Sequence, residues 1–360
     1  MNIVCTSASL ALGGAEKALS GIANYLCEQG HEVCFITQTS PETDRFSLDP
    51  RIERTGLNLA ENSRSFVSGI AQNLKRIRAM KRELHDRNPD VVLSFGDKQN
   101  VLALAASSGL SIPVVVSERT DPRHHRIGRT WNALRKFSYR KAAFVVVQTR
   151  SVANWASRIV APSKIRIIPN CVESSPNCSE IREQAVVGMG RFSEEKGFDL
   201  LIDGFAQIAD RFPNWRLEIY GEGPLEANLR ARAGRAHSRI AFPGVAFQPK
   251  QVFESHAVFA LPSRYEGFPN ALLEAMSAGC AVIAADCPSG PREMIRHRTD
   301  GLLIEPNCSC ALARGLFELL DDAALRASLS ESSRASAARF DPNTIHSKWE
   351  RTLKEAANQR

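Results

Sequence analysis

Two carboxylates stand eight positions apart in Glu266-Gly-Phe-Pro-Asn-Ala-Leu-Leu-Glu274, one before a turn and one inside the helix expected to follow. Pro269 suits the first turn of that helix, since it has no N–H to waste and its φ is already helical. Asn270, Ala271 and Leu272 would then offer backbone N–H groups that a helix start cannot satisfy internally. Aligned N–H groups and the positive end of the dipole attract phosphate. Glu274, one turn deeper, can accept two hydroxyls of a sugar or ribose. An anion site beside a polyol acceptor points to a nucleotide-sugar pocket. The plainer alternative is one acid at a helix start and another in mid-helix.

Transfer from a nucleotide sugar requires the leaving diphosphate to be stabilised, by a metal ion or by fixed cations. Arg191 and Lys196 lie five apart just after a strand, placed to reach one phosphate group from a loop and a helix start. A solvated surface pair is the competing reading. Gly13 and Gly14 follow the first strand and let backbone come close to a phosphate or an acceptor. They do not form G-x-G-x-x-G, which speaks against a dinucleotide cofactor. Glu222, in Gly221-Glu-Gly-Pro224, sits either near a nucleotide base or in a plain turn.

The Glu266–Glu274 segment resembles the E-x7-E motif of retaining glycosyltransferases of family 4, which have the GT-B fold. Gly13-Gly14-Ala15-Glu16, Ile168-Pro169-Asn170, Gly190-Arg191-Phe192, Glu195-Lys196-Gly197, Gly221-Glu222-Gly223-Pro224 and Leu261-Pro262-Ser263 stand in the family's order. The resemblance covers nearly the whole chain and is strongest over about 186–305. It implies two doubly wound, Rossmann-like α/β domains facing across a cleft, with the last helix crossing back to the first domain. It also implies that Glu274 holds the ribose hydroxyls and Glu266 contacts the transferred sugar near its reacting carbon. Arg191 and Lys196 would bind the donor diphosphate and stabilise its departure, with Gly14 and Glu222 also on the donor side. The leaving phosphate oxygen would accept the acceptor's proton on the same face of the sugar. No two aspartates are separated by one residue, so the Asp-x-Asp metal motif of the other main glycosyltransferase fold is missing. Neither a metal nor a cofactor is expected.

Ser117-Glu118-Arg119-Thr120-Asp121-Pro122 departs from the family, many members of which carry a histidine just after this strand. That role is left unassigned and is not moved to His124 or His125. The Ser-Glu-Arg form, like Cys287-Pro-Ser-Gly-Pro-Arg-Glu293, resembles members that extend lipid-linked oligosaccharides in bacterial surface-polysaccharide or glycoprotein pathways. By that resemblance the donor is a UDP-sugar carrying galactose or an N-acetylhexosamine, and the acceptor a polyprenyl-diphosphate-linked saccharide. Gly13, Glu118 and Arg119 are the acceptor candidates beside it.

The elements that must position these residues follow from the pattern. A chain of 360 residues exceeds one compact domain. Short apolar strands alternate with helical stretches, the mark of parallel α/β sheets. One series covers 2–6, 33–37, 91–94, 114–117 and 144–148, and a second covers 185–189, 217–220, 240–242, 257–260 and 281–285. The expected division is 1–170 with 343–360 as an acceptor domain, a linker at 171–184 and a donor domain at 185–342. A helix from about Asn343 carries Trp349 and Leu353, and the Ser/Ala-rich run 328–338 reads as a solvated helix.

Composition narrows the partners. Residues 1–170 hold 24 Lys and Arg against 14 Asp and Glu, while the remainder holds 22 against 25. An anionic partner is therefore expected for the first half only. Over 66–84, Phe66, Ile70, Leu74, Ile77, Met80 and Leu84 form one helical stripe, with Lys75, Arg78 and Arg82 opposite. That is either a helix packed on a sheet with a solvated basic face, or a surface for anionic lipid or the acceptor's diphosphate. Residues 119–141 add eight Lys and Arg, with Asp121 the only Asp or Glu among them. The uncharged run 99–117 holds serines and Pro113, and is poor as a membrane span. With no basic start followed by an apolar core, no signal peptide is expected. Nine scattered cysteines suit reduced thiols, and Cys308-Ser-Cys310 is too close for the usual zinc spacing. These features point to a cytoplasmic enzyme, peripheral on the inner face of the cell membrane. The rivals are a glycosyltransferase with a soluble sugar or sugar-phosphate acceptor and, further off, a nucleic-acid-binding protein, against which stand 7% aromatic content and no recognisable motif.

Overall fold

A computed structural model describes residues 1–11, 13–60, 66–175, 182–236 and 238–360, with backbone only for Phe66, Val67 and Ala236. The chain divides into two compact units, Met1–Cys171 with Asn343–Arg360, and Val172–Pro342.

The first unit is built on seven parallel strands: β1 (Asn2–Ser7), β2 (Glu32–Thr37), β3 (Glu53–Gly56), β4 (Val91–Phe95), β5 (Val114–Ser117), β6 (Phe144–Val147) and β7 (Ile165–Ile167). Their order is β3-β2-β1-β4-β5-β6-β7. β1 carries both β2 and β4, with Ile3 opposite Val33 on one side and Val91 on the other. The chain thus winds outward in both directions from β1 and β4, the switch point at which ligands gather in such sheets. Val91-Val-Leu-Ser-Phe95 and Val114-Val-Val-Ser117 are buried along their full length, as strands covered on both faces must be. In the helix Gly14–Glu28, Leu19, Ile22, Ala23 and Leu26 recur at spacings of three and four and lie buried on the sheet.

The last helix, Pro342–Ala357, belongs to this first unit. Ile345, Trp349, Leu353 and Ala356 enter its core, Trp349 within 5.3 Å of the Phe95 ring. At its rim His31 Nε2 meets Glu350 Oε1 at 3.0 Å and Arg166 meets Glu355 at 2.9 Å.

The second unit repeats the plan with β8 (Glu183–Met189), β9 (Arg216–Tyr220), β10 (Ile240–Gly244), β11 (His256–Leu261), β12 (Ala281–Ala285) and β13 (Leu302–Ile304). All are parallel, in the order β10-β9-β8-β11-β12-β13, and the switch point falls between β8 and β11. The carboxyl ends of these two strands carry the segments around Arg191 and Glu266.

Three expectations need adjusting. Residues 176–181 of the expected linker lie outside the described residues. On its near side Val172 N–H donates to Phe340 O and Ser277 Oγ donates to Glu173 O, within the second unit. On its far side Arg182 donates to Phe253 O and His256 O, and β8 already starts at Glu183. The stripe on the helix Phe66–Arg87 is buried only in its later half, where Met80 and Leu84 pack. Ile70 and Leu74 are 49% and 44% exposed, and the Phe66 side chain is outside the description. All of the run 328–338 but its last residue falls in the helix Ala323–Ala337, and that helix is not simply solvated: Leu329, Ser333 and Ser336 are buried. No helix among the described residues is long and apolar enough to cross a membrane.

Candidate functional site

The backbone around Arg191, Lys196 and Glu266 makes close approaches that only glycine permits at Gly197, Gly223 and Gly290. After β8, Phe192 is buried and its N–H donates to Glu222 O at 2.8 Å, while Leu225 N–H donates to Phe192 O at 3.0 Å. A Cβ on Gly223 would lie 2.7 Å from Phe192 O, so this glycine is demanded by the close approach of the two loops. Arg191 and Glu222 project from the joined loops with exposed side chains.

A short turn, Glu194–Lys196, follows, and Gly197 ends it at φ +66°, in the left-handed region. A Cβ there would meet Pro262 O at 2.3 Å. The turn is thereby pressed on the segment after β11, and Arg264 locks the two together. Its N–H donates to Glu195 O at 2.8 Å, its Nη1 to Glu194 O at 2.7 Å, and its guanidinium forks onto Asp199 at 2.9 and 2.7 Å.

This clamp brings Lys196 and Glu266 together across 70 positions of sequence. Lys196 Nζ donates to Glu266 Oε1 at 2.6 Å, and Ser263 Oγ donates to the same oxygen at 2.7 Å. Glu266 is 7% exposed and the Lys196 side chain 24%. The ammonium therefore reaches solvent, while the carboxylate is nearly enclosed. Gly290, at φ +100°, packs behind: a Cβ would stand 2.6 Å from Pro269 Cδ and 3.3 Å from Glu266 Cβ. Beside it, burial pushes the Cys287 thiol up to about 12, which leaves it an inert packing group.

The helix after Glu266 runs Asn270–Ser277, with Pro269 at its N-cap rather than in its first turn. The Pro269 carbonyl accepts from Leu272 N–H at 3.1 Å and from Leu273 N–H at 3.2 Å. Leu272 N–H is thus committed within the helix, whose first two residues are Asn270 and Ala271. Glu274 is half-buried one turn further on. Among the described residues no three His, Cys, Asp or Glu side chains gather as a metal site would require.

In the first unit, Gly13 caps the helix that begins at Gly14, and a Cβ on Gly13 would strike Glu16 Oε2 at 2.1 Å. The Glu16 carboxylate therefore folds back over the turn. Glu118, at the end of β5, is 1% exposed. Its Oε1 accepts from Tyr139 OH at 2.5 Å and from Arg135 Nη1 at 3.3 Å, and Asn100 Nδ2 donates to the Tyr139 oxygen at 2.9 Å. Burial raises the Glu118 carboxyl above the usual range, against the pull of Arg135. Arg119 lies over the Phe95 ring at 4.6 Å and donates to Asn170 Oδ1. Lys75, Arg78 and Arg82 are exposed on the helix Phe66–Arg87, apart from this group. His125 pairs with Asp97 at 3.2 Å.

Two family models divide the chain almost as its two sheets do. Residues 12–175 match the Glycosyltransferase Family 4 model, and residues 183–322 match the Glycosyl transferases group 1 model. The chain belongs to glycosyltransferase family 4. It is 27% identical over 361 residues to a Campylobacter jejuni alpha-1,4-N-acetyl-D-galactosaminyltransferase, across 99% of each chain. That relative is named for the acceptor GalNAc-alpha-(1->4)-GalNAc-alpha-(1->3)-diNAcBac-PP-undecaprenol. Among solved structures, sucrose-phosphate synthase from Thermosynechococcus elongatus matches with a TM-score of 0.84 at 18% identity, over all of both chains. Anabaena HepE in complex with UDP and glucose matches with a TM-score of 0.78 at 20% identity, over 98% of this chain and 99% of its own. These likenesses establish the GT-B fold.

Several residues that shape this glycosyltransferase's candidate site escape a reading of the sequence. Ser263 stands in the Leu261-Pro262-Ser263 motif with no role of its own, and no spacing or motif marks Asp199. Arg135 and Tyr139 read as members of the basic stretch 119–141, whereas they are the partners that bond the buried Glu118. For the clamp, the one signal in the sequence is Arg264 itself, two residues before the motif Glu266.

Proposed function

We propose that this glycosyltransferase is a retaining enzyme that moves a hexose or N-acetylhexosamine from a UDP-sugar to a polyprenyl-diphosphate-linked saccharide in bacterial surface-glycan assembly. The observation that carries the donor half is the Lys196–Glu266 pair at 2.6 Å, beside the opening of the Asn270–Ser277 helix. A diphosphate arriving there competes with Glu266 for the Lys196 ammonium, and Arg191 and the N–H groups of Asn270 and Ala271 add to its cradle. Once released from Lys196, the Glu266 carboxylate is free to orient and stabilise the sugar at its reacting carbon. Glu274 takes the ribose hydroxyls, with Glu222 adding to the donor contacts.

As the C1–O bond breaks, charge develops on the β-phosphate, and Lys196 and Arg191 stabilise it as fixed cations. The departing phosphate oxygen takes the acceptor's proton, so the new bond forms on the face the old one left. Transfer is proposed to need no metal. The relative's name supports a diphosphate-linked lipid acceptor, and HepE, solved with UDP and glucose, supports the donor class. Gly13, Glu118 and Arg119 serve the acceptor in the first unit, Glu118 by holding its strand end rather than by touching substrate in this conformation. Lys75, Arg78 and Arg82 are proposed to meet acceptor diphosphate or anionic lipid, placing the enzyme peripherally on the cytoplasmic face of the membrane.

Calorimetric titration with UDP tests the donor site. Glu274→Ala should weaken UDP at least tenfold, the loss of about one charge-assisted hydrogen bond. Unchanged affinity would remove the ribose role.

A further inference from the structure

The helix Arg129–Ser138 presents its apolar residues outward and buries a cation inward. Arg135 is 1% exposed, bonded to Glu118 and lying over the Trp155 ring at 4.8 Å. Leu134 and Phe137 are 44% and 64% exposed, and Ala133 is exposed with them. At about 100° per residue these three share one arc of the helix. A helix that packs only on its own sheet would turn this arc inward. Here the buried Arg135–Glu118–Tyr139 network holds it outward.

Cations surround the arc. Arg126, Arg129, Lys136, Arg140 and Lys141 are exposed, and Lys141 Nζ sits 5.3 Å from the centre of the Phe137 ring. The helix Phe66–Arg87 packs on Asp97–Ala106, as Arg129–Ser138 does, so the two flank one helix. It repeats the combination, with Ile70 and Leu74 exposed near Lys75 and Arg78. Exposed aromatic and aliphatic tips ringed by long cationic stems fit an interface of acyl chains and anionic headgroups. A protein partner of matching chemistry would have to be both apolar and acidic, and a second copy of this chain offers the same cations to one another.

We infer that the outward arc of the Arg129–Ser138 helix inserts Leu134 and Phe137 into an anionic bilayer, with Lys136, Arg140 and Lys141 on the headgroups. This deepens the proposed use of a membrane-linked acceptor by naming the surface that docks. Binding can be read without turnover, so the two readings fail separately.

The test is flotation of the full-length chain with phosphatidylcholine vesicles, with and without phosphatidylglycerol. Leu134→Ser/Phe137→Ser should lower partitioning by roughly tenfold or more, at low and at high salt. Lys136→Gln/Arg140→Gln/Lys141→Gln should lower it by about fivefold per charge at low salt, with little effect at high salt. Phe247→Ser, at a 95% exposed residue of the second unit, should change nothing. Partitioning that is unchanged in the Leu134/Phe137 variant, or equal on vesicles without phosphatidylglycerol, overturns the inference. So does a wild-type dimer by light scattering that this variant converts to monomer, which would assign the arc to a second copy. Vesicle binding lost in the variant, in an enzyme that ignores lipid-linked acceptors, would keep the docking surface and refute the acceptor.

Discussion

Replacing Lys196 by Met keeps the aliphatic stem and removes the charge, and its consequences divide into two that can be measured apart. In the unliganded chain Glu266 Oε1 would retain one donor, Ser263 Oγ at 2.7 Å, while remaining 7% exposed. Stranding a charged acceptor costs about 1–3 kcal/mol. The larger cost of breaking a fully buried pair, about 3–5 kcal/mol, does not apply, because Lys196 is itself 24% exposed. For a unit of this size, that cost lowers Tm by roughly 2–10 °C. Adding Glu266→Gln removes the stranded charge, so the double variant should recover most of the lost stability. Turnover behaves differently, since the departing diphosphate has lost a fixed cation and kcat should fall by roughly 10²–10³. The double variant should not regain it. Calorimetry and UDP-release kinetics on the four proteins of the cycle give both readouts. A Lys196→Met enzyme with near-normal kcat, or a double variant no more stable than the single, would refute the assignment of this pair.

Arg264→Ala removes the fork onto Asp199 and the bond to Glu194 O, freeing the turn that carries Lys196. A shift of about 1 Å there should cost roughly 10²-fold in kcat with little change in UDP affinity, measured by steady-state kinetics and calorimetry. Acid stability should report Glu218, whose carboxyl is held at about 2, first by His256 and then by Arg216. Its folded value is depressed, so the stabilisation is present above the ordinary 4.5 and is lost as pH falls towards 2. Glu218→Gln should flatten that limb by about 1–3 kcal/mol in denaturant titrations at stepped pH. Native-state thiol labelling should modify exposed Cys310 quickly and Cys287 only on unfolding, a difference readable by mass spectrometry.

The two parallel sheets are legible in the sequence because a strand covered on both faces must be a short apolar run. The strands that escape notice are at sheet edges or short: β3 is Glu-Arg-Thr-Gly, β7 is Ile-Arg-Ile and β13 has three residues. None has enough apolar length to stand out. Motif spacing locates Glu266, Lys196 and Arg191, but spacing cannot show that Lys196 and Glu266 touch, since their contact depends on the fold of 70 intervening residues. Burial of charge is equally hidden. Arg135 looks like a surface residue of a basic stretch and Glu118 like an acceptor contact, and only the packed helix shows that they pair in the interior. The helix Phe66–Arg87 misleads in the opposite direction, since an apolar stripe predicts burial and Ile70 and Leu74 stay exposed.

In the proposed function the second unit's Lys196–Glu266 site transfers a sugar from a UDP donor with its anomeric configuration kept. Product analysis tests it most directly: a panel of UDP-α-sugars is incubated with polyprenyl-diphosphate mono- and disaccharides, and the new linkage is read by NMR. The expected result is transfer from a UDP-sugar and an α-anomeric product. A β-linked product, or an enzyme that uses another nucleotide sugar and no UDP donor, would contradict it.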